Sequence, residues 1–234
     1  MARKIRTYSA NSELVLAQRT KLALSAADLF SRKGYHNTRV QDIVDSSGMG
    51  KGTIYHYVGS KRDILSLIFL QGYSVADKVI NEITIDMSKV SPIQALKLGI
   101  RNYYGLIDEY PAFARFFYQE IRYASKEERQ RFIDWEHKVV GLFEDILRRG
   151  SNTGEFAIDN VTIVANTIVA NAEMWAVKRW LLREHFTAEQ YIDEQIRLAL
   201  KLVSPNNRIT NPGCRGKPRG AAAGDLTAAE SMVK

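Results

Sequence analysis

Apolar residues recur along this chain at helical spacing, and polar caps separate the runs. Leu14, Leu22, Ala26, Leu29 and Phe30 fall on one face of a first helix that the spacing places from Ser12 to about Lys33. Gly34 supplies a closing residue able to take positive φ. Thr38 with Gln41 three residues on reads as a capping box for a short helix through Ser46, with Val40, Ile43 and Val44 turned inward. Ser47-Gly48-Met49-Gly50 reads as a turn, and Lys51 to Tyr57 as another short helix. Ser60 with Asp63 opens a helix carrying Ile64, Leu65, Leu67, Ile68 and Phe69, to about Ile83. Further starts are Ser91-Pro92, Pro111, the Ser125/Glu128 box, Asp159 and the Thr187/Gln190 box; the last two open helices to about Arg183 and Val203. No run alternates with the period of a strand. The expectation is an all-α chain of about nine helices.

Composition changes this picture only at the ends. From Ser204 onward Pro, Gly, Asn, Arg and Ala follow without periodicity, so 205–234 is expected to be a disordered tail. Residues 1–12 are polar and basic and are expected to form a flexible arm. Between them, 13–75 reads as one unit and 76–204 as a second. Charge divides along the same lines. Residues 1–61 hold ten Lys/Arg against four Asp/Glu, 62–204 hold eighteen against twenty, and 205–234 five against two. A basic front on a slightly acidic body suits a polyanion met by one end of the molecule.

Helix, four-residue turn, helix is the geometry that lays a second helix into the major groove of DNA. In TRVQDIVDSSGMGKGTIYHYVGSK, residues 38–61, Ile54 and Val58 stand four apart and supply the buried face of that second helix. Thr38, Arg39, Lys51, Gly52, Thr53, Tyr55, His56, Tyr57 and Lys61 are left as candidate DNA contacts: cations and hydroxyls for phosphate, a glycine for close backbone approach, aromatics and His56 for phosphate or base.

Residues 14–70 resemble the DNA-binding domain of TetR-family transcriptional regulators. The likeness rests on Ala26, Leu29, Phe30, Gly34, Tyr35, Thr38, Val40, Ile43, Gly48, Thr53, Ile54, Tyr55, Tyr57, Lys61 and Leu65. It implies an all-α homodimer, usually a repressor, that leaves a palindromic double-stranded operator when a small ligand binds the C-terminal domain. Gly59 departs from the polar or larger residue frequent there. The region from Tyr118 to Gln190 resembles the subgroup controlling fatty-acid and steroid-ring catabolism, through RYASKEERQRFIDWEHKVV, the Gly154-Glu155-Phe156 loop and the Trp175-x-x-x-Arg179-Trp180 pattern. This implies an acyl-CoA thioester as effector. A regulator of efflux or stress genes sensing a hydrophobic drug-like ligand, and a transcriptional activator, remain as alternatives.

Aromatics crowd 103–143 at helical spacing, which suits either plain core or an apolar pocket. Tyr104, Phe116, Trp135, Trp175 and Arg179 are the candidate ligand residues. Trp175 and Arg179, four apart, could hold an anionic ligand or simply form a cation–π pair. Val161, Val164, Ala165, Ile168, Val169 and Ala172, with Leu198, Ala199 and Leu202, form the stripe expected to pair two copies.

Other classes fare poorly. His36, His56, His137 and His185 show no metal-ligand spacing, no nucleophile elbow or phosphate loop is present, and the one cysteine, Cys214, lies in the tail. An enzyme and a cofactor are not expected. With no apolar leader and no run long enough to span a membrane, the expected location is the cytoplasm.

Overall fold

The computed structural model describes residues 12–87 and 89–205. The expected arm, the tail and Cys214 lie outside these. Among the described residues ten α-helices and one 3₁₀ turn follow in order: α1 Ser12–Lys33, α2 Val40–Ser47, α3 Lys51–Tyr57, α4 Lys61–Met87, α5 Pro92–Glu109, α6 Pro111–Glu120, the 3₁₀ turn Ile121–Tyr123, α7 Lys126–Asn152, α8 Val161–Val177, α9 Arg179–Leu182 and α10 Ala188–Val203. The described residues contain no strand.

Most boundaries follow from local caps. Ser91 Oγ accepts from Gln94 N ahead of Pro92, whose missing N–H would have no helical partner there. Ser125 and Thr187 form reciprocal boxes with Glu128 and Gln190. Gly34 and Gly48 take φ of 83° and 63° and close α1 and α2, a backbone state costly for residues with a Cβ.

Two expected boundaries are corrected. The cap of α2 is Arg39, not Thr38. The Asp42 carboxylate accepts from Arg39 N at 2.9 Å, while Thr38 turns its hydroxyl back to Gly34 O at 2.9 Å. An ionised carboxylate is the stronger acceptor, so it takes the box, and the Thr38 hydroxyl seals the end of α1 instead. The helix expected from Asp159 to Arg183 begins after Asn160, whose side chain accepts from Ile163 N, and breaks at Lys178. The short α9 beyond the break carries Arg179 back to Asp108 on α5, at 2.8 Å.

Two apolar cores result. One joins α1 to α4 and takes Phe113, Phe116 and Phe117 from α6. The other is built from the later part of α4 with α5, α7, α8 and α10. Helix α4 runs unbroken through residue 75 and serves both. Arg62, in its first turn, donates to Tyr123 O and pairs with Glu128, each at 2.5 Å; Tyr73 Oη, three turns on, donates to Glu128 O at 3.3 Å. The N-terminal helices are therefore fastened to the corner between α6 and α7, not hung from a linker.

Candidate DNA-reading helix and effector cleft

Helix α3 is held by its buried face. Ile54 and Val58 are inside, Val58 N bonds Ile54 O at 3.0 Å, and Met49 anchors the preceding turn, its N–H donating to Ser47 Oγ. Lys51, Gly52, Thr53, Tyr55 and His56 are exposed, as is Arg39 at the start of α2. Tyr55 is 49% exposed, a large aromatic with no core to enter. Tyr57 is half-buried, with the Arg19 guanidinium 6.0 Å from its ring centroid.

Two of the nine expected contacts stand elsewhere. Thr38 is 1% exposed and its hydroxyl is engaged by Gly34 O. Lys61 Nζ donates to the carbonyls of Tyr35, His36 and Thr38 at 2.8, 3.2 and 3.0 Å and lies 4.5 Å from the Tyr35 ring. An ammonium has three N–H donors, so this lysine is fully occupied. It satisfies the loop carbonyls after α1 and thereby fixes the angle at which α2 and α3 leave. Both residues support the reading surface from within.

A cleft runs between α4 and α8. Gly72, Tyr73, Val75 and Ala76 of α4 form one wall; Leu106, Ile107, Phe113, Phe117 and Tyr118 of α5 and α6 form another; Phe132, Trp135 and Glu136 of α7, and Glu173 of α8, close it. It measures about 480 Å³ counted out through its mouth. In this form it is a slot that a sizeable ligand must widen. Gly72 sets its waist: a Cβ there would stand 2.6 Å from the Phe117 ring.

Of the five residues expected at the ligand, only Trp135 lines this cleft. Tyr104 is buried in the second core, its hydroxyl donating to Ile168 O at 2.8 Å. Phe116 belongs to the first core, between Phe30 and Phe69. Trp175 stacks on Tyr191 and donates from Nε1 to Asp108 at 2.8 Å, and Arg179 pairs with the same carboxylate and lies 5.7 Å from the indole. Of the two readings of that pattern, the cation–π pair is the one formed, as an internal knot where α8 breaks.

Sequence reasoning missed the most unusual feature, two acids in the apolar slot. Glu173 is 4% exposed; Tyr103 donates to its Oε1 at 3.4 Å and Tyr118 to its Oε2. Burial, then the Glu136 charge, push the Glu173 carboxyl up to about 8, against weaker lowering by the two tyrosine hydroxyls. Burial raises Glu136 as well. The pair therefore holds a proton at neutral pH. The signal was there: Glu173 is the only charged residue in the seventeen of α8.

The folded chain holds the Glu173 proton more tightly than the unfolded chain, where release comes near 4.5. The stabilisation is complete below that pH, falls as pH rises and is gone above about 8, with a limiting slope of about 1.4 kcal/mol per pH unit. Thermal melts between pH 5 and 8 should show declining stability, flattened by Glu173→Gln. Parallel pH profiles for the two chains would count against the buried proton. The groups facing Glu173 are Tyr103 on α5, Tyr118 on α6 and Glu136 on α7.

Among the described residues no group of His, Cys, Asp or Glu could hold a metal, and no helix is long and apolar enough to cross a membrane. A short exposed helix carrying Lys51 and Tyr55, set on a rigid turn and tied to a cleft-bearing helical body, defines a helix-turn-helix DNA-binding regulator. Residues 24–68 match the domain described as bacterial regulatory proteins, tetR family, and residues 89–203 match the tetracyclin repressor-like C-terminal domain. The chain belongs to the TetR family of transcriptional regulators.

It is similar to the HTH-type transcriptional regulator HbdR of Aromatoleum sp. strain CIB, 24% identical over 205 residues and 87% of each chain. The ketosteroid transcriptional regulator KstR2 of Mycobacterium tuberculosis superposes with a TM-score of 0.68 at 24% identity, covering 84% of this chain and 97% of that one. AibR, solved with isovaleryl coenzyme A and operator DNA, superposes with a TM-score of 0.64 at 19% identity, covering 77% and 97%.

Proposed function

We propose that the chain is a homodimeric, operator-binding repressor released by an acyl-CoA thioester whose acyl part enters the cleft between α4 and α8. The observation that carries this is the double duty of α4. Its Gly72–Ala76 stretch walls the cleft, and its first turn holds Lys61 and Arg62, which fix the reading helix and the α6–α7 corner. A ligand can shift an equilibrium only by preferring one state. Here the preferred state is the wider slot, and widening moves α4 against α6, where Gly72 and the Phe117 ring leave no slack. AibR, with its thioester and operator, supports the same pairing of ligands on this fold.

The test is fluorescence anisotropy on DNA from the chain's own promoter region, titrated with straight-chain and cyclic acyl-CoAs, the matching free acids and hydrophobic cations. Release by thioesters alone is expected. Release only by cations, or by nothing, overturns the reading. In the same assay Arg62→Ala should keep both operator and thioester affinity but lose most of the coupling between them, ordinarily about 5- to 150-fold. Unchanged coupling would show that the Arg62 tie does not transmit the signal.

A further inference from the structure

The cleft carries a charge without a countercharge. Glu136 of α7 and Glu173 of α8 both line it, and their carboxyls are hydrogen-bonded to each other. One shared proton leaves the pair with one negative charge at neutral pH. Tyr103 and Tyr118 donate to the two oxygens of Glu173, and Tyr73 on α4 stands near Glu136. These hydroxyls are neutral, and among the described residues no Lys or Arg pairs with either acid. Ala76, Leu106, Ile107 and Phe132 make the neighbouring wall apolar, so the charge is poorly screened. A carboxylate entering this slot would meet a like charge where neither is well solvated. The same wall offers a donor. Trp135, next to Glu136, lines the cleft, and its buried Nε1 has no hydrogen-bond partner. A buried N–H calls for an acceptor. A carbonyl oxygen accepts from it and brings no charge.

We infer that this wall selects a neutral carbonyl over a carboxylate: Trp135 Nε1 donates to the effector's carbonyl oxygen, and the Glu136–Glu173 pair turns away the free acid. At the head of the acyl chain a thioester and its parent acid differ in charge. The pair therefore lets the protein answer to the activated acyl group while the free acid is present. This rests on the thioester reading above for the identity of the ligand, but the selection itself can be tested without coenzyme A.

The experiment uses the full chain, with methyl octanoate and octanoate as probes in calorimetry at neutral pH and octanoyl-CoA in operator release. The ester should bind at least roughly a hundredfold more tightly than the acid, because like charges brought together in a poorly solvated site are strongly disfavoured. Octanoate should take up about one proton as it binds, read from the heats in buffers of different ionisation enthalpy, and the ester none. Glu136→Gln with Glu173→Gln removes the charge and keeps the shape. It should cut the ester-to-acid ratio at least about tenfold, chiefly by tightening octanoate. Melting curves establish that this variant folds, and the proton uptake tests the pair in the parent chain without it. The Trp135 indole N–H resonance, identified by its loss in Trp135→Phe, should move downfield when methyl octanoate saturates the chain. Equal affinity for ester and acid overturns the selection, as do octanoate binding without proton uptake, a ratio unchanged in the double variant, and failure of the ester to bind. A Trp135 resonance unmoved at saturation overturns the indole contact. Selection of the ester with no release by octanoyl-CoA keeps the selection and overturns the thioester reading; release by octanoyl-CoA with equal binding of ester and acid does the reverse.

Discussion

Replacing Leu198 and Leu202 together by aspartate is expected to leave a folded monomer that binds the operator at least about a hundredfold more weakly, because one reading helix gains only one half-site. The positions follow from how α8 and α10 pack. The Trp175–Tyr191 stack and the hydrogen bond from Asn171 to Gln195 set the two helices antiparallel, which brings Ile163 to the level of Leu202. Ile163, Leu198 and Leu202 are 61%, 44% and 51% exposed. Together they make an apolar patch on one side of a helix pair. Ala165, Ile168, Val169, Ala172 and Ala199, expected in the same interface, face the chain's own core instead. Substituting those would unfold the subunit; Leu198 and Leu202 are exposed and belong to neither core. Sedimentation and anisotropy on the same sample decide the matter. A double variant that remains dimeric would move the interface elsewhere, and a monomer with undiminished affinity would remove dimerisation from the mechanism.

That reversal of the α8 stripe shows where periodicity stops being informative. Both faces of α8 are apolar, so the sequence does not say which meets the core and which a partner. The caps at Ser91, Ser125 and Thr187 were legible because each is settled within four residues. The cap of α2 was not, because Thr38 and Asp42 compete and the outcome depends on where Gly34 O lies. Nor was the break at Lys178, since the carboxylate that draws Arg179 away is Asp108, on a different helix. The aromatic cluster left core and pocket both open, and of the rings singled out for a ligand only Trp135 lines the cleft. Tyr104, Phe116 and Trp175 have the helical spacing of Trp135, but their neighbours enclose them. A lone acid in an apolar helix, Glu173, was the better pointer, because burying a charge needs compensation that burying a ring does not.

The reading helix itself gives the sharpest separation between residues that touch DNA and residues that hold the surface for it. Lys51 and Tyr55 are exposed on α3, so Lys51→Ala with Tyr55→Ala should leave the melting temperature unchanged. Lost base contacts are worth about 1–3 kcal/mol each, and the dimer loses them in two half-sites, so operator affinity should fall by roughly a hundredfold or more. Losing one phosphate-bound lysine per half-site should also lower the slope of log affinity against log salt by about two. Lys61→Ala is expected to behave differently. Its ammonium ties three loop carbonyls together, and removing it leaves those of Tyr35, His36 and Thr38 to water or to nothing. Operator affinity should fall there too, but with a lower melting temperature, because the loss comes from a loosened support. If Lys51→Ala with Tyr55→Ala binds the operator normally with an unchanged salt slope, the exposed face of α3 is not what meets DNA. If Lys61→Ala melts like the parent chain and lowers the salt slope alone, its ammonium is a phosphate contact after all and its three carbonyl bonds are dispensable.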